Sequence, residues 1–158
     1  MSELAFLSPA LAEVGYRSPL ERVLAGTELR DLSSLGKVEV RGEVDEASLA
    51  DVEVVQISPT RALVLCEAEA APALAARLKA VDVSAALAGL VFHGEQLLRR
   101  LTDLDLDRLP AVGAVAGVRC TVLRSEAGGD EHEFRLFFAQ EYADHVAAVV
   151  LDAAAGLR

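Results

Sequence analysis

The sequence predicts an α+β domain in which an antiparallel sheet carries helices packed on it. Three observations lead there. Apolar residues alternate around Val38 and Val40, then switch to helical spacing at Leu74 and Leu78 and at Leu97, Leu98 and Leu101. Short turn sequences, Ser58-Pro59-Thr60-Arg61 and Ala127-Gly128-Gly129-Asp130, join strand-like runs into hairpins, and hairpins imply antiparallel pairing. The helical stretches gather between the hairpins, which places them on one side of such a sheet.

The first clear element is a helix start at Ser18-Pro19-Leu20-Glu21. Ser18 can accept from the Glu21 backbone N–H while the Glu21 side chain reaches back, and Pro19 takes the first helical position. This helix carries Leu20, Val23 and Leu24 and stops at Gly26. Residues 1–16 read as an N-terminal arm, and 17–158 as a single domain. From Thr27 the period becomes two. Val38 and Val40 alternate with Lys37, Glu39 and Arg41, as expected of a strand with one wet face ending at Gly42.

Asp45 is placed to cap a short helix through Leu49. Residues 52–57 and 62–66 make the first hairpin, followed by an Ala-rich helix. A second helix follows Gly94. Residues 118–123 and 133–138 make the second hairpin, and Gly113 to Gly117 reads as a loop before it. The last helix spans roughly Gln140 to Ala155, with Val146, Val149, Val150 and Ala153 inward.

The second half echoes the first. Asp82-Val83-Ser84 repeats Asp31-Leu32-Ser33, and His93-Gly94-Glu95 repeats Arg41-Gly42-Glu43, at offsets of 51 and 52 positions. The expected plan is two pseudo-repeated halves, each strand–strand–helix–hairpin–helix. A solenoid needs three or more units, so that architecture is excluded.

Composition narrows the function. At 158 residues the chain fits one domain. Its 53% hydrophobic content excludes a disordered acidic tail, and its net charge of −10 repels phosphate backbones and anionic lipid. With 4% aromatic residues it lacks stacking platforms for bases. Arg99-Arg100, the one adjacent basic pair, reads as a solvated helix face. Neither nucleic acid nor membrane is an expected partner. The start at Met1-Ser2-Glu3-Leu4 lacks a signal-peptide pattern, and no apolar run approaches ~20 residues, so a cytoplasmic location is expected.

No residue set reads as a site. Cys66 and Cys120 lie in apolar runs without metal spacing. His93, His132 and His145 share no ligand motif; His93 reads as an edge or capping residue, the others as surface groups. Asp103, Asp105 and Asp107 resemble the start of a calcium loop, but Arg108 and Ala114 stand where that loop needs Gly and Glu. The alternating Leu104, Leu106 and Leu109 fit a half-buried edge segment. Phosphate-loop and nucleophile-elbow motifs are missing. The expectation is no catalytic, cofactor-binding or metal-binding residue in this chain.

The ordered motifs together resemble the gamma subunit of heterotetrameric sarcosine oxidase, a group built like the folate-binding domain of glycine-cleavage aminomethyltransferases. The matching residues are Arg17-Ser18-Pro19-Leu20, Lys37-Val38-Glu39-Val40-Arg41-Gly42 and Val81-Asp82-Val83-Ser84. Leu104-Asp105-Leu106, Leu109-Pro110, Gly113, Thr121, Phe134 and Glu141-Tyr142-Ala143-Asp144 follow in order. The resemblance covers about residues 17–155. It departs from the family's pattern at the Ser58 to Leu63 hairpin and in the Ala/Val-rich final helix.

The resemblance implies a non-catalytic structural subunit of a sarcosine-oxidase-like flavoenzyme in sarcosine and one-carbon metabolism. FAD, FMN, NAD, zinc and tetrahydrofolate would then lie on other subunits, and the partners would be larger sarcosine-oxidase-type subunits. The alternative is a stand-alone tetrahydrofolate-binding, aminomethyltransferase-like protein. The relatives' acidic residue lies in an Asn-containing motif, and this chain has no Asn, so no residue takes that role. Surplus aliphatic content further predicts an uncovered apolar patch, or self-association of the isolated chain.

Overall fold

Alternation and turn chemistry decide most of the elements in the computed structural model, which describes residues 16–44, 49, 52–125 and 132–157. Helix α1 (Glu21–Leu24) leads to strands β1 (Arg30–Asp31), β2 (Gly36–Arg41), β3 (Glu53–Ser58) and β4 (Arg61–Cys66), then helix α2 (Ala71–Leu78). Strands β5 (Val81–Asp82) and β6 (Leu87–His93) precede helix α3 (Glu95–Leu101). Strands β7 (Ala111–Val115), β8 (Val118–Ser125) and β9 (Glu133–Ala139) and helix α4 (Ala143–Ala155) complete the order. The expected helix cap at Asp45, the turn at 127–130 and nearly all of the 1–16 arm lie outside the described residues.

Two antiparallel sheets form where one was expected. One runs β1-β6-β9-β8-β7 and the other β3-β4-β2-β5. The reason lies in the strands' second faces. Val55, Leu63 and Leu65 of one sheet and Leu123 and Phe137 of the other form a shared core with Leu32, Leu35, Ile57, Val83 and Leu87. A single open sheet would leave those residues in water, so the faces close on each other.

The outer faces carry the helices. Ala88, Leu90 and Phe92 of β6 and Phe134, Leu136 and Phe138 of β9 pack under α1, α3 and α4. Val38, Val40 and Val64 pack under α2 through Ala71, Leu74 and Ala75. The buried face of α4 is Ala143, Val146, Ala147 and Val150, with Val149 and Ala153 at its margin. With three apolar layers filled, the large hydrophobics left exposed are Tyr16, Val81, Tyr142 and Leu157, on separate elements.

Two local expectations change. Ser18 does not form the capping box: its hydroxyl accepts from the Leu20 N–H at 3.1 Å and donates to Asp31 Oδ2, while the Ser18 carbonyl accepts from Glu21. Asp31 competes successfully for the hydroxyl because a charged acceptor makes the stronger hydrogen bond. The helix still ends at Gly26, whose φ of +74° suits the glycine. The glycine-containing run from 113 to 117 is not a loop but the end of β7 and a tight turn. Ala116 (φ 51°) and Gly117 (φ 77°) both take positive φ, the backbone that two-residue hairpins favour.

Candidate functional site

The polar residues of interest lie where the two sheets face each other. Lys37, Glu39 and Arg41 leave β2 on the side opposite Val38 and Val40; along that side Lys37 is buried, Glu39 half-buried and Arg41 exposed. The wet face expected of this strand is therefore lost at its Lys37 end, where the side chain is 0% exposed. Its ammonium donates to the carbonyls of Ser33 at 2.8 Å, Leu35 at 2.7 Å and Ser84 at 3.3 Å. Three acceptors match three donors, which is what lets a charged group stay inside. Burial lowers the Lys37 pKa to about 8, against the opposing pull of Asp31, Asp82 and Cys66.

Around Lys37 the two Asp-x-Ser motifs cross. The Ser33 N–H is accepted by Asp31 Oδ1 at 2.8 Å and the Ser84 N–H by Asp82 Oδ1 at 2.9 Å. Each serine hydroxyl then accepts from a strand of the other half: Ser84 Oγ from the Lys37 N–H at 2.9 Å, Ser33 Oγ from the Gly89 N–H at 3.1 Å. The strands beside the motifs cross too, since β1 pairs with β6 and β5 with β2.

Ion pairs join or flank the sheets elsewhere. Arg135 of β9 grips Glu53 of β3 through both terminal nitrogens, at 2.7 and 2.5 Å. Hydrogen bonds from Arg135 hold the Glu53 carboxyl below its usual range against the effect of burial. Burial pushes the Glu39 carboxyl up, but hydrogen bonds from Arg61 (2.9 Å) and Arg41 (3.1 Å) more than offset it, leaving the pKa lowered. Glu133, nearly buried, takes Arg30 at 2.7 Å and stands 3.9 Å from His93 Nε2.

The remaining residues singled out in the sequence are scattered. His93 ends β6 as an edge residue, opposite Glu133 across the ladder. His132 meets Phe134 edge-on, and His145 Nε2 lies 3.0 Å from the Ala116 carbonyl. Asp105 accepts from the Asp107 N–H and pairs with Arg108 at 3.3 Å, so it caps a short turn. Leu106 is buried and Leu104 packs on Gly113. Arg99 pairs with Glu95 on an exposed face. Burial raises the Cys120 thiol to about 12, and burial first, then Asp82 and Glu67, raises Cys66, so neither is poised as a thiolate. Among the described residues, no three His, Cys, Asp or Glu side chains group as a metal set. No described helix is long and apolar enough to cross a membrane.

At one end of the sandwich the sheets part into a cleft of about 210 Å³. Glu39, Arg61, Arg119, Thr121 and Tyr142 supply its polar lining, and Ile57, Leu63, Leu87 and Phe137 its apolar lining. Sequence reasoning missed this cleft, because Arg61 and Arg119 come from different sheets and share no motif. It also missed the Glu133 partner of His93, which only the β6–β9 register reveals.

No family model matches the sequence, and no curated protein matches it. Solved structures do match. A chain of the heterotetrameric sarcosine oxidase from Corynebacterium sp. U-96, solved in complex with pyrrole 2-carboxylate, aligns with a TM-score of 0.73. The two chains share a fold. The alignment covers 89% of this chain and 95% of that one, at 18% identity. The likeness thus spans nearly one whole polypeptide of the sarcosine oxidase, and at that identity it is a likeness of architecture.

Proposed function

We propose that this chain is the small, non-catalytic structural subunit of a heterotetrameric sarcosine-oxidase-like flavoenzyme, equivalent to the gamma subunit. The observation that carries the reading is the match to nearly a whole chain of a heterotetrameric enzyme. The chemistry of the buried polar groups is consistent with it. The buried ammonium is engaged by carbonyls, the thiols are held protonated, and most charged groups between the sheets are paired with each other. In this reading the flavins, NAD, zinc and tetrahydrofolate belong to other subunits, and the complex works in the cytoplasm in one-carbon metabolism.

The reading includes a fold of two pseudo-repeated halves. The crossed Asp-x-Ser turns support it, as do the strand orders: β5-β2-β4-β3 in one sheet parallels β1-β6-β9-β8 in the other. The buried Ala71, Leu74 and Ala75 of α2 correspond to Ala143, Val146 and Ala147 of α4.

The test is co-expression of a tagged form of this chain with the large subunits of a sarcosine-oxidase-type enzyme from the same genome. Co-purification with flavin absorbance is the expected result. A chain that purifies alone and takes up tetrahydrofolate saturably at submillimolar concentration would overturn the reading.

A further inference from the structure

The cleft between the sheets combines three properties that its structural role does not use. Its charge opposes that of the molecule. On a chain of net charge −10, Arg61 and Arg119 line the cleft and Arg41 stands beside it on Glu39, the one carboxylate of the lining. That excess is partly unspent. Arg61 reaches Glu39 through one terminal nitrogen only, and its Nε is buried with no hydrogen-bond partner. The Arg119 side chain has no hydrogen bond or ion pair with any described residue, and Tyr142, 46% exposed, has no hydrogen bond from its hydroxyl to any described residue either.

The third property is size. Sites for free small ligands typically enclose about 300–1,000 Å³. A cleft of about 210 Å³ is short of that but roomy enough for one or two side chains. Arginine and tyrosine around an apolar pocket are also the residue types on which protein interfaces concentrate their affinity.

We propose that this cleft is the docking point for a partner subunit, and that it receives an acidic side chain flanked by apolar residues. A carboxylate entering from the partner would meet the second terminal nitrogen of Arg61, the Arg119 guanidinium, which no described residue pairs, and the Tyr142 hydroxyl. Its apolar neighbours would cover Ile57, Leu63 and Phe137. Removing Arg119 from water toward a carboxylate also sets the register of the two subunits, because a wrongly placed apolar segment would bury that charge unpaired.

This inference rests on the subunit reading above, and one experiment separates the two. Affinity for the large subunits is measured for the wild type, R119E, and R77E as a control on the exposed face of α2. The expected result is a dissociation constant raised at least tenfold by R119E and within twofold of wild type for R77E, with all three chains giving the same circular dichroism and melting curve. Wild-type binding with R119E within twofold would overturn the docking site and leave the subunit reading intact. No wild-type binding would overturn both. Acetate and benzoate, titrated into the isolated chain, test the remaining source of a carboxylate; saturable submillimolar binding of either would make the cleft a small-molecule site and overturn the proposal.

Discussion

The two halves solve one problem with different side chains. At each crossing an aspartate fixes a turn, the serine two positions on turns its hydroxyl to the opposite half, and a strand N–H donates to it. The backbone bonds match as well: Leu32 N–H to the Gly89 carbonyl and Val83 N–H to the Lys37 carbonyl are both 2.8 Å. At those matched positions one half has lysine and the other glycine. Lys37 fills its space and feeds three carbonyls, whereas a Cβ on Gly89 would come within 2.9 Å of both Leu32 Cβ and Phe137 Cε1. One crossing is held by a buried charge, the other by close packing. The hydrogen-bonded frame is therefore the common element, and the inter-sheet filling is where the two crossings differ.

Breaking the lysine side should have the largest effect. Lys37→Met leaves the Ser33, Leu35 and Ser84 carbonyls without their donor, and unsatisfied buried carbonyls place the cost at about 3 kcal/mol in urea unfolding. The same variant has a pH signature. The folded pKa of Lys37 lies near 8, below the ordinary value of 10.5, so between those values the unfolded chain holds more protons. Wild-type stability should therefore gain a rising contribution above about pH 8 that Lys37→Met lacks, and the gap between them should widen there. Below that window Lys37 is charged in both states and adds no slope.

The packing side should cost less. Gly89→Ala forces Leu32 or Phe137 to shift, an overpacking penalty of about 1–3 kcal/mol with no pH signature of its own. The serines should give the smallest effects and compare the frames most closely. Ser33→Ala and Ser84→Ala each leave one strand N–H without its acceptor, at about 1 kcal/mol each. Ser33 is buried and Ser84 only half-buried, so Ser33→Ala should be the more damaging, because water can replace the Ser84 hydroxyl.

Much of this fold was legible in the sequence. Strands β2, β3, β4, β8 and β9 show by their alternation or apolar runs, and the Asp-x-Ser echo shows as a repeated motif, though not as a crossing. Their partners were not legible. β1 and β5 are two residues each, too short for periodicity to register, yet they tie each half to the other's sheet. That exchange ties together the two sheets whose apolar inner faces close on each other. It also explains why Lys37 looked solvated: Lys-Val-Glu-Val-Arg reads the same whether the charged face meets water or a cage of carbonyls. The cleft was illegible for a related reason, since Arg61, Arg119 and Tyr142 converge only when the two sheets face each other.

The proposed role as a subunit is most directly tested by native mass spectrometry on a sarcosine-oxidase-type enzyme from the same genome, purified through a tag on its largest subunit. The expected result is one complex containing this chain in fixed stoichiometry with the flavin-carrying subunits. A fully active, flavin-loaded enzyme assembled without this chain, with the chain itself found only as free monomer, would contradict it.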